Sequence, residues 1–210
     1  MRAKLQLALD MLDLTRALRL LELVHDYVDV IEIGTPLLKS QGVRAIHEIR
    51  RAYPAKPLLA DAKTMDTGEY EADFCFAAGA DLMTVLGVAD DSTISGAVRS
   101  AQRHQRTVVV DLLNVPQKTP RARRVAALGA QAVAVHSGID QQRRGCTPLA
   151  DLAELSEAQL GIDVAVAGGI GPHSLDMILE RHPQVVIVGG AITQAANPAA
   201  VAAEMRERLG

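Results

Sequence analysis

The chain is predicted to fold as an α/β protein, a (β/α)8 TIM barrel that takes up residues 1–210 as a single domain. Three observations predict it. Short apolar runs recur eight times, about every 25 residues. The stretches between them carry apolar residues three and four apart, as one face of a helix does. The runs are continuous rather than alternating, the pattern of parallel strands buried on both faces. Eight strand-helix units favour closure into a barrel, and a doubly wound open sheet is the alternative the same pattern permits. A chain of 210 residues holds one substantial core, with no room for a second domain of ordinary size beside a barrel.

The elements follow in order. The first apolar run, Leu5 to Leu9, ends at Asp10 and is followed by a helical pattern through Leu14, Ala17, Leu18, Leu21 and Val24. The second, Val28 to Ile33, carries Glu32 and precedes Val43, Ile46, Ile49 and Arg50 at helical spacing. The third, Pro57 to Ala60, runs into Asp61-Ala62-Lys63-Thr64-Met65-Asp66. The fourth is Leu82 to Leu86, after which Asp91-Ser92-Thr93 signals a helix start. Thr107 to Val110 ends at Asp111, and Ala132 to Val135 ends at His136. Val164 to Ala167 leads into Gly168-Gly169-Ile170-Gly171-Pro172, and Val185 to Val188 into Gly189-Gly190. Asn197-Pro198 opens the last helix, as Gly171-Pro172 opens the one before it. Gly79, Gly129 and Gly161 punctuate three returns to a strand, where a helix end favours positive φ. Each gap is expected to hold one helix.

Composition narrows the function. A hydrophobic share of 49% with 22% charged residues is that of a globular protein, and no apolar stretch approaches the roughly 18 residues of a membrane span. A net charge of −3, no basic block, and only three Tyr and two Phe argue against nucleic acid as a partner. The first ten residues are too quickly charged for a signal peptide. Cys75, expected in a helix, and Cys146, expected in a loop, form neither a disulfide framework nor a zinc spacing, so a reducing cytoplasm is expected.

Barrel chemistry sits at the C-terminal ends of the strands. There this chain delivers Asp10, Glu32, Asp61 with Lys63, Asp111 and His136, an ionisable group from five strands. On an extended backbone Asp61 and Lys63 point the same way, and Asp66 lies where the next helix should begin. Taken singly, Asp10 or Asp111 could cap a helix and His136 could be structural. Taken together they read as a site, because caps need not follow apolar strands on five elements. Two carboxylates about 4 Å apart repel by roughly 4 kcal/mol at an effective dielectric near 20, so the cluster needs relief. Lys63 supplies part of it. Mg²⁺, which accepts oxygen ligands and keeps open positions, would supply more; a protonated carboxyl with a raised pKa is the other route. The glycine pairs Gly168-Gly169 and Gly189-Gly190, after the seventh and eighth strands, place bare backbone where barrels commonly bind phosphate. Neither GxGxxG nor a P-loop lysine motif is present. His25, His104 and His182 near helix C-termini, His47 within a helix and His173 near a helix start are assigned no role.

These residues resemble a family, the 3-hexulose-6-phosphate synthases within the orotidine 5′-monophosphate decarboxylase superfamily. The resemblance covers essentially the whole chain. It rests on Leu5-Gln6-Leu7-Ala8-Leu9-Asp10, Ile31-Glu32-Ile33-Gly34-Thr35-Pro36, Ala60 to Asp66, and Thr84-Val85-Leu86-Gly87-Val88-Ala89-Asp90-Asp91. Val135-His136-Ser137-Gly138-Ile139-Asp140, Val166-Ala167-Gly168-Gly169-Ile170 and Val186 to Ile192 continue it. It implies an aldolase-type carbon-carbon lyase that joins formaldehyde to D-ribulose 5-phosphate through a 1,2-enediolate, with Mg²⁺, giving D-arabino-3-hexulose 6-phosphate. It further implies Glu32 and Asp61 as metal ligands, Lys63 beside the enediolate, Asp10 and Asp111 on substrate hydroxyls, and His136 moving the proton. Asp66 resembles an aspartate that reaches the partner subunit's site, which implies a homodimer with shared active sites.

The alternative is 3-keto-L-gulonate 6-phosphate decarboxylase, which shares the enediolate and the metal. Those enzymes carry arginine at the places of Ile139 and Ala191, and neither residue here supplies a charge. A non-catalytic sugar-phosphate sensor would have little need for Asp61, Lys63, Asp66 and His136 together. Ser137 stands where the family usually has threonine, and Arg143-Arg144-Gly145-Cys146 is an uncommon form of the loop after the sixth strand.

Overall fold

A computed structural model describes residues 2–210. In chain order the elements are β1 (Lys4–Leu9), α1 (Leu14–Val24), β2 (Val30–Ile33), α2 (Thr35–Gln41), α3 (Arg44–Ala52), β3 (Leu58–Thr64) and α4 (Gly68–Ala77). Then come β4 (Leu82–Leu86), α5 (Asp91–His104), β5 (Thr107–Asp111), α6 (Lys118–Ala127), β6 (Ala132–His136), α7 (Ile139–Gln142) and α8 (Leu149–Glu157). Last are β7 (Asp163–Ala167), α9 (Leu175–Leu179), β8 (Val185–Val188), α10 (Gly190–Thr193) and α11 (Pro198–Leu209). Every neighbouring pair of strands is parallel, and β8 closes on β1 with Leu5 opposite Val186, so the sheet is a closed barrel in the order β1 to β8. The open-sheet alternative is thereby excluded.

Two cores explain the continuous apolar runs. Leu5, Leu7, Leu9, Ile31, Ile33, Val108, Val110, Val133 and Val135 face outward and pack under the helices. Val30, Leu59, Val109, Ala134 and Ala165 face inward and pack against each other within the barrel. The outward parity is apolar, and the inward parity is apolar too except where polar side chains such as Gln6, Glu32 and Thr84 enter the barrel. Ile46 and Ile49 of α3 are fully buried against the outer layer, each contributing about 1.5 to 3 kcal/mol by the usual area scale.

Closure is repeated at the N-terminal rim. The residue just before each even strand, Asp29, Asp81, Gln131 and Gln184, accepts a hydrogen bond from an amide at the start of the preceding odd strand, Leu5, Leu58, Val108 and Val164. Arg2 and Arg206 neutralise Asp29, and Arg50 and Arg106 neutralise Asp81.

The expectation of one helix per gap needs correction. The gaps after β2, β6 and β8 each hold two, because α2, α7 and α10 are short helices inserted directly after their strands. Gly42, at φ +61°, ends α2 and lets the chain turn into α3. Strand β3 also runs past Ala60 to Thr64, so Asp61 to Thr64 of the polar motif lie on the strand itself and Asp66 lies beyond it. Asp10 and Asp111 cap no helix: Asp13 caps α1 through the Arg16 amide, and Asp111 Oδ1 accepts from Leu113 in a loop ahead of α6. Asn197 caps α11 as its sequence signal suggests, whereas α5 is capped by Asp90, one residue before the Asp91-Ser92-Thr93 signal. Cys75 is buried in α4 and Cys146 is exposed in a loop. Among the described residues no helix is long and apolar enough to cross a membrane.

Candidate active site

Strand parity places the site. Asp10, Glu32, Asp61, Asp111 and His136 each stand two residues beyond an inward residue, namely Ala8, Val30, Leu59, Val109 and Ala134, and period-2 alternation turns them inward at the C-terminal rim. There they line the mouth of one cavity together with Lys63, Gly168, Gly169, Gly189 and Gly190; the cavity, about 1250 Å³ in all, continues down the barrel to Lys4, Thr107 and Asp163 at the N-terminal ends of the strands. Ile139 and Ala191 line the same cavity. Asp66 does not. Its carboxylate is exposed and accepts from its own neighbour, the Thr67 amide.

The charged groups form one chain of contacts. Lys63 Nζ lies 2.8 Å from both oxygens of Asp61 and 2.9 Å from Asp111 Oδ2. The same Asp111 oxygen is 2.9 Å from His136 Nδ1. Thr84 donates to Asp61 Oδ1 at 2.8 Å, and Thr35 to Asp61 Oδ2 at 2.7 Å. Glu32 accepts from Gln6 Nε2 at 2.7 Å through Oε2, while its Oε1 has no hydrogen-bond partner among the described residues.

Lys63 does not follow simple alternation. Its φ is +46°, and the β3–β4 register shifts between Ala60 and Thr64, so the turn of the backbone, rather than strand parity alone, carries Nζ to the two carboxylates.

Electrostatics divide the carboxylates. Burial works against the Asp111 charge, but the hydrogen bond from His136 and the Lys63 ammonium hold its carboxyl down at about 2. Burial and then the Asp61 charge push Glu32 up to about 8. Burial and Asp61 also raise Asp10. Burial opposes the Lys63 charge, yet Asp61 and Asp111 raise its pKa, and the side chain stays an ammonium.

Asp111, ionised at any ordinary pH, can only accept a hydrogen bond. His136 Nδ1 must then be a donor, so Nε2 is the ring nitrogen left to exchange a proton. The arrangement can take a proton at His136 Nε2 and steady negative charge beside Lys63 Nζ.

Glycine makes room for Asp10. A Cβ on Gly34 would collide with Asp10 Oδ1, and one on Gly189 would stand 3.3 Å from Oδ2. Gly168 is required for its backbone as well as for space, with φ +120° and a Cβ position 2.5 Å from the Ser137 carbonyl oxygen. Gln142 reaches from α7 to the same loop: Nε2 donates to Ser137 O at 2.7 Å, and Oε1 faces Gly169. His173, assigned no role from the sequence, lines the cavity beside Gly171 and Ala191. Gln6, Thr35, Thr84 and Gln142 are the contacts that sequence reasoning missed. An inward parity on a strand was the only available signal for Gln6 and Thr84.

The donor set suits a divalent cation in general. Glu32 offers a free oxygen, the neighbouring Asp61 is anionic, and all the donors are hard oxygens. Among the described residues no three His, Cys, Asp or Glu side chains form a protein cage for an ion. Mg²⁺ does not require one, since it typically takes one or two carboxylates and keeps waters or substrate on its other positions.

A sequence model of the orotidine 5′-phosphate decarboxylase / HUMPS family matches residues 3–205. The chain is 47% identical over 206 residues to a 3-hexulose-6-phosphate synthase of Mycobacterium gastri, covering 98% of this chain and 99% of that one. The solved structure of 3-hexulose-6-phosphate synthase from Salmonella typhimurium superposes with a TM-score of 0.96 at 45% identity, covering 98% of each chain. A 3-keto-L-gulonate-6-phosphate decarboxylase structure from Vibrio cholerae is also similar, with a TM-score of 0.88 at 30% identity over 100% of this chain and 98% of that one.

Proposed function

The chain belongs to the orotidine 5′-phosphate decarboxylase / HUMPS family, and on that premise we propose that it is a formaldehyde-fixing aldolase-type lyase, joining formaldehyde to D-ribulose 5-phosphate. The observation that carries the reading is the unbroken contact chain Asp61, Lys63, Asp111, His136 along the cavity wall. His136 Nε2 takes the proton from C1 of the sugar phosphate, and the C–H electron pair becomes the C1–C2 double bond of a 1,2-enediolate. Lys63 Nζ, held between Asp61 and Asp111, steadies the oxyanion that develops. C1 then attacks the formaldehyde carbon as the enediolate oxygen re-forms the C2 carbonyl, the formaldehyde carbonyl pair moves to its oxygen, and the new alkoxide takes the proton back from His136 Nε2. The product is D-arabino-3-hexulose 6-phosphate.

Asp10 and Asp111 are read as holding substrate hydroxyls, and the backbone at Gly168, Gly169, Gly189 and Gly190 as holding the phosphate. Glu32 and Asp61 would hold a divalent cation, taken as Mg²⁺, which when bound supplies positive charge to the substrate oxygens. We place the protein in a reducing cytoplasm and as a homodimer. The dimer is supported by the exposed Met65, Tyr70 and Phe74 close in sequence to Asp66, 53%, 74% and 39% accessible, an apolar group suited to burial against a second copy. Asp66 would then serve the partner subunit's site.

The decarboxylase reading is disfavoured by Ile139 and Ala191, which line the cavity without offering charge to a proton-donating water or to phosphate. The purified protein, given ribulose 5-phosphate and Mg²⁺, is expected to consume formaldehyde, and EDTA is expected to stop it. No loss of formaldehyde, alongside CO₂ release from 3-keto-L-gulonate 6-phosphate, would select the decarboxylase.

A further inference from the structure

Strand β4 contributes no ionisable group to the rim. Its inward side chain at that level is Thr84, which is 5% exposed. The hydroxyl lies between two parts of β3, accepting from the Lys63 amide at 2.9 Å and donating to Asp61 Oδ1 at 2.8 Å. The directions are forced. An amide can only donate, so the oxygen lone pair is used there and the single hydroxyl hydrogen is left for the carboxylate.

The location matters because β3 is irregular at this point. Ala60 pairs with Met83 and Thr64 pairs with Val85, so four residues of β3 advance against two of β4. Lys63 occupies left-handed backbone at φ +46°, which side-chain-bearing residues rarely adopt and which persists only when its surroundings hold it.

We propose that Thr84 is a positioning residue: its one hydroxyl holds the Lys63 turn and the Asp61 carboxylate in fixed relation, and so delivers Lys63 Nζ to its place between Asp61 and Asp111. The inference rests on the reading that Lys63 steadies an enediolate. If Thr84 only filled space on β4, valine would serve equally, because the two side chains share their branched shape.

The test compares wild type with Thr84→Val, Thr84→Ala and Thr84→Ser, all with Mg²⁺, by two readouts. One is exchange of the C1 hydrogen of ribulose 5-phosphate for deuterium, followed by NMR; the other is steady-state consumption of formaldehyde. Thr84→Val and Thr84→Ala are expected to lower exchange and kcat by about 100-fold, the scale of an approximately 1 Å misplacement, with KM for the sugar phosphate within about threefold. Thr84→Ser, which keeps the hydroxyl, is expected to stay within about threefold of wild type on both readouts. Whichever hydroxyl-free variant folds decides the matter. Near-normal kcat in that variant, a change in KM alone, or a Thr84→Ser as impaired as Thr84→Val would overturn the proposal. Wild type that exchanges no C1 hydrogen would reject the enediolate reading instead.

Discussion

Asp111 Oδ2 and His136 Nδ1 meet at 2.9 Å, and this one contact decides which nitrogen of the ring faces the cavity as a base. Asp111→Asn removes the fixed acceptor and lets the ring take the wrong tautomer. Both Asp111→Asn and His136→Ala are expected to lower kcat for formaldehyde consumption by at least about a hundredfold, the lower range for a general acid-base group. A His136→Ala enzyme with near-normal turnover would remove the ring from the mechanism.

Glu32 sets a pH dependence that belongs to the metal-free protein. Its carboxyl titrates at about 8 in the fold against an ordinary 4.5, so between these values the folded chain keeps a proton that the unfolded chain has released. Stability then falls as pH rises through that window. A cation held by Glu32 and Asp61 favours the ionised carboxyl and offsets the loss. In EDTA the Tm is expected to decline from about pH 4.5 to 8, with Mg²⁺ raising it most at the upper end. Glu32→Gln is expected to flatten the profile; an unchanged slope in that variant would place the responsible group elsewhere. Asp111, held at about 2 against 3.8, acts in the opposite sense, and its contribution is lost as pH falls through that lower window.

Gly34→Ala tests the space that Asp10 needs. Backbone strain is not involved, since Gly34 has an ordinary φ of −60°; the added methyl would meet the Asp10 carboxylate and the Leu9 carbonyl. Forcing Asp10 aside is expected to raise KM for the sugar phosphate and to cost about 1 to 3 kcal/mol of stability in urea unfolding. Unchanged KM and unchanged stability together would show that the rim yields without disturbing Asp10.

Shared active sites are tested by complementation. Asp66→Asn and His136→Ala homodimers are each expected to be inactive. Unfolded together and refolded at equal amounts, they are expected to regain about a quarter of wild-type activity, because half the dimers are mixed and each carries one intact site. Active Asp66→Asn homodimers, or mixing without recovery, would return Asp66 to the surface as an ordinary turn residue.

Much of this molecule was written in local pattern. Burial on both faces makes most of each strand apolar, with single polar residues such as Gln6, Glu32 and Thr84 inside it, so the eight strands and their order along the chain could be read directly. The polar residue that ends an inward stripe is conspicuous for the same reason, which is why Asp10, Glu32, Asp61, Asp111 and His136 were legible as one rim. Short α2, α7 and α10 were not legible, because a turn or two of helix has no period to display.

Tertiary structure decided the partnerships. Burial raises both Glu32 and Asp111, and that Asp111 is nevertheless held low while Glu32 is pushed up follows from the groups beside each, His136 and Lys63 for Asp111 and Asp61 for Glu32, although the two residues look alike in sequence. Thr84, Thr35 and Gln6 are neutral side chains whose partners were not readable until strand register set them against Asp61 and Glu32. The left-handed turn at Lys63 is the clearest case, since it depends on a register shift between β3 and β4. Sequence by itself determined which residues would arrive at the rim, because that depends on periodicity along one strand. Only the closed barrel determined what each would touch, because hydrogen bonds and charges act between strands whose alignment is a property of the whole sheet.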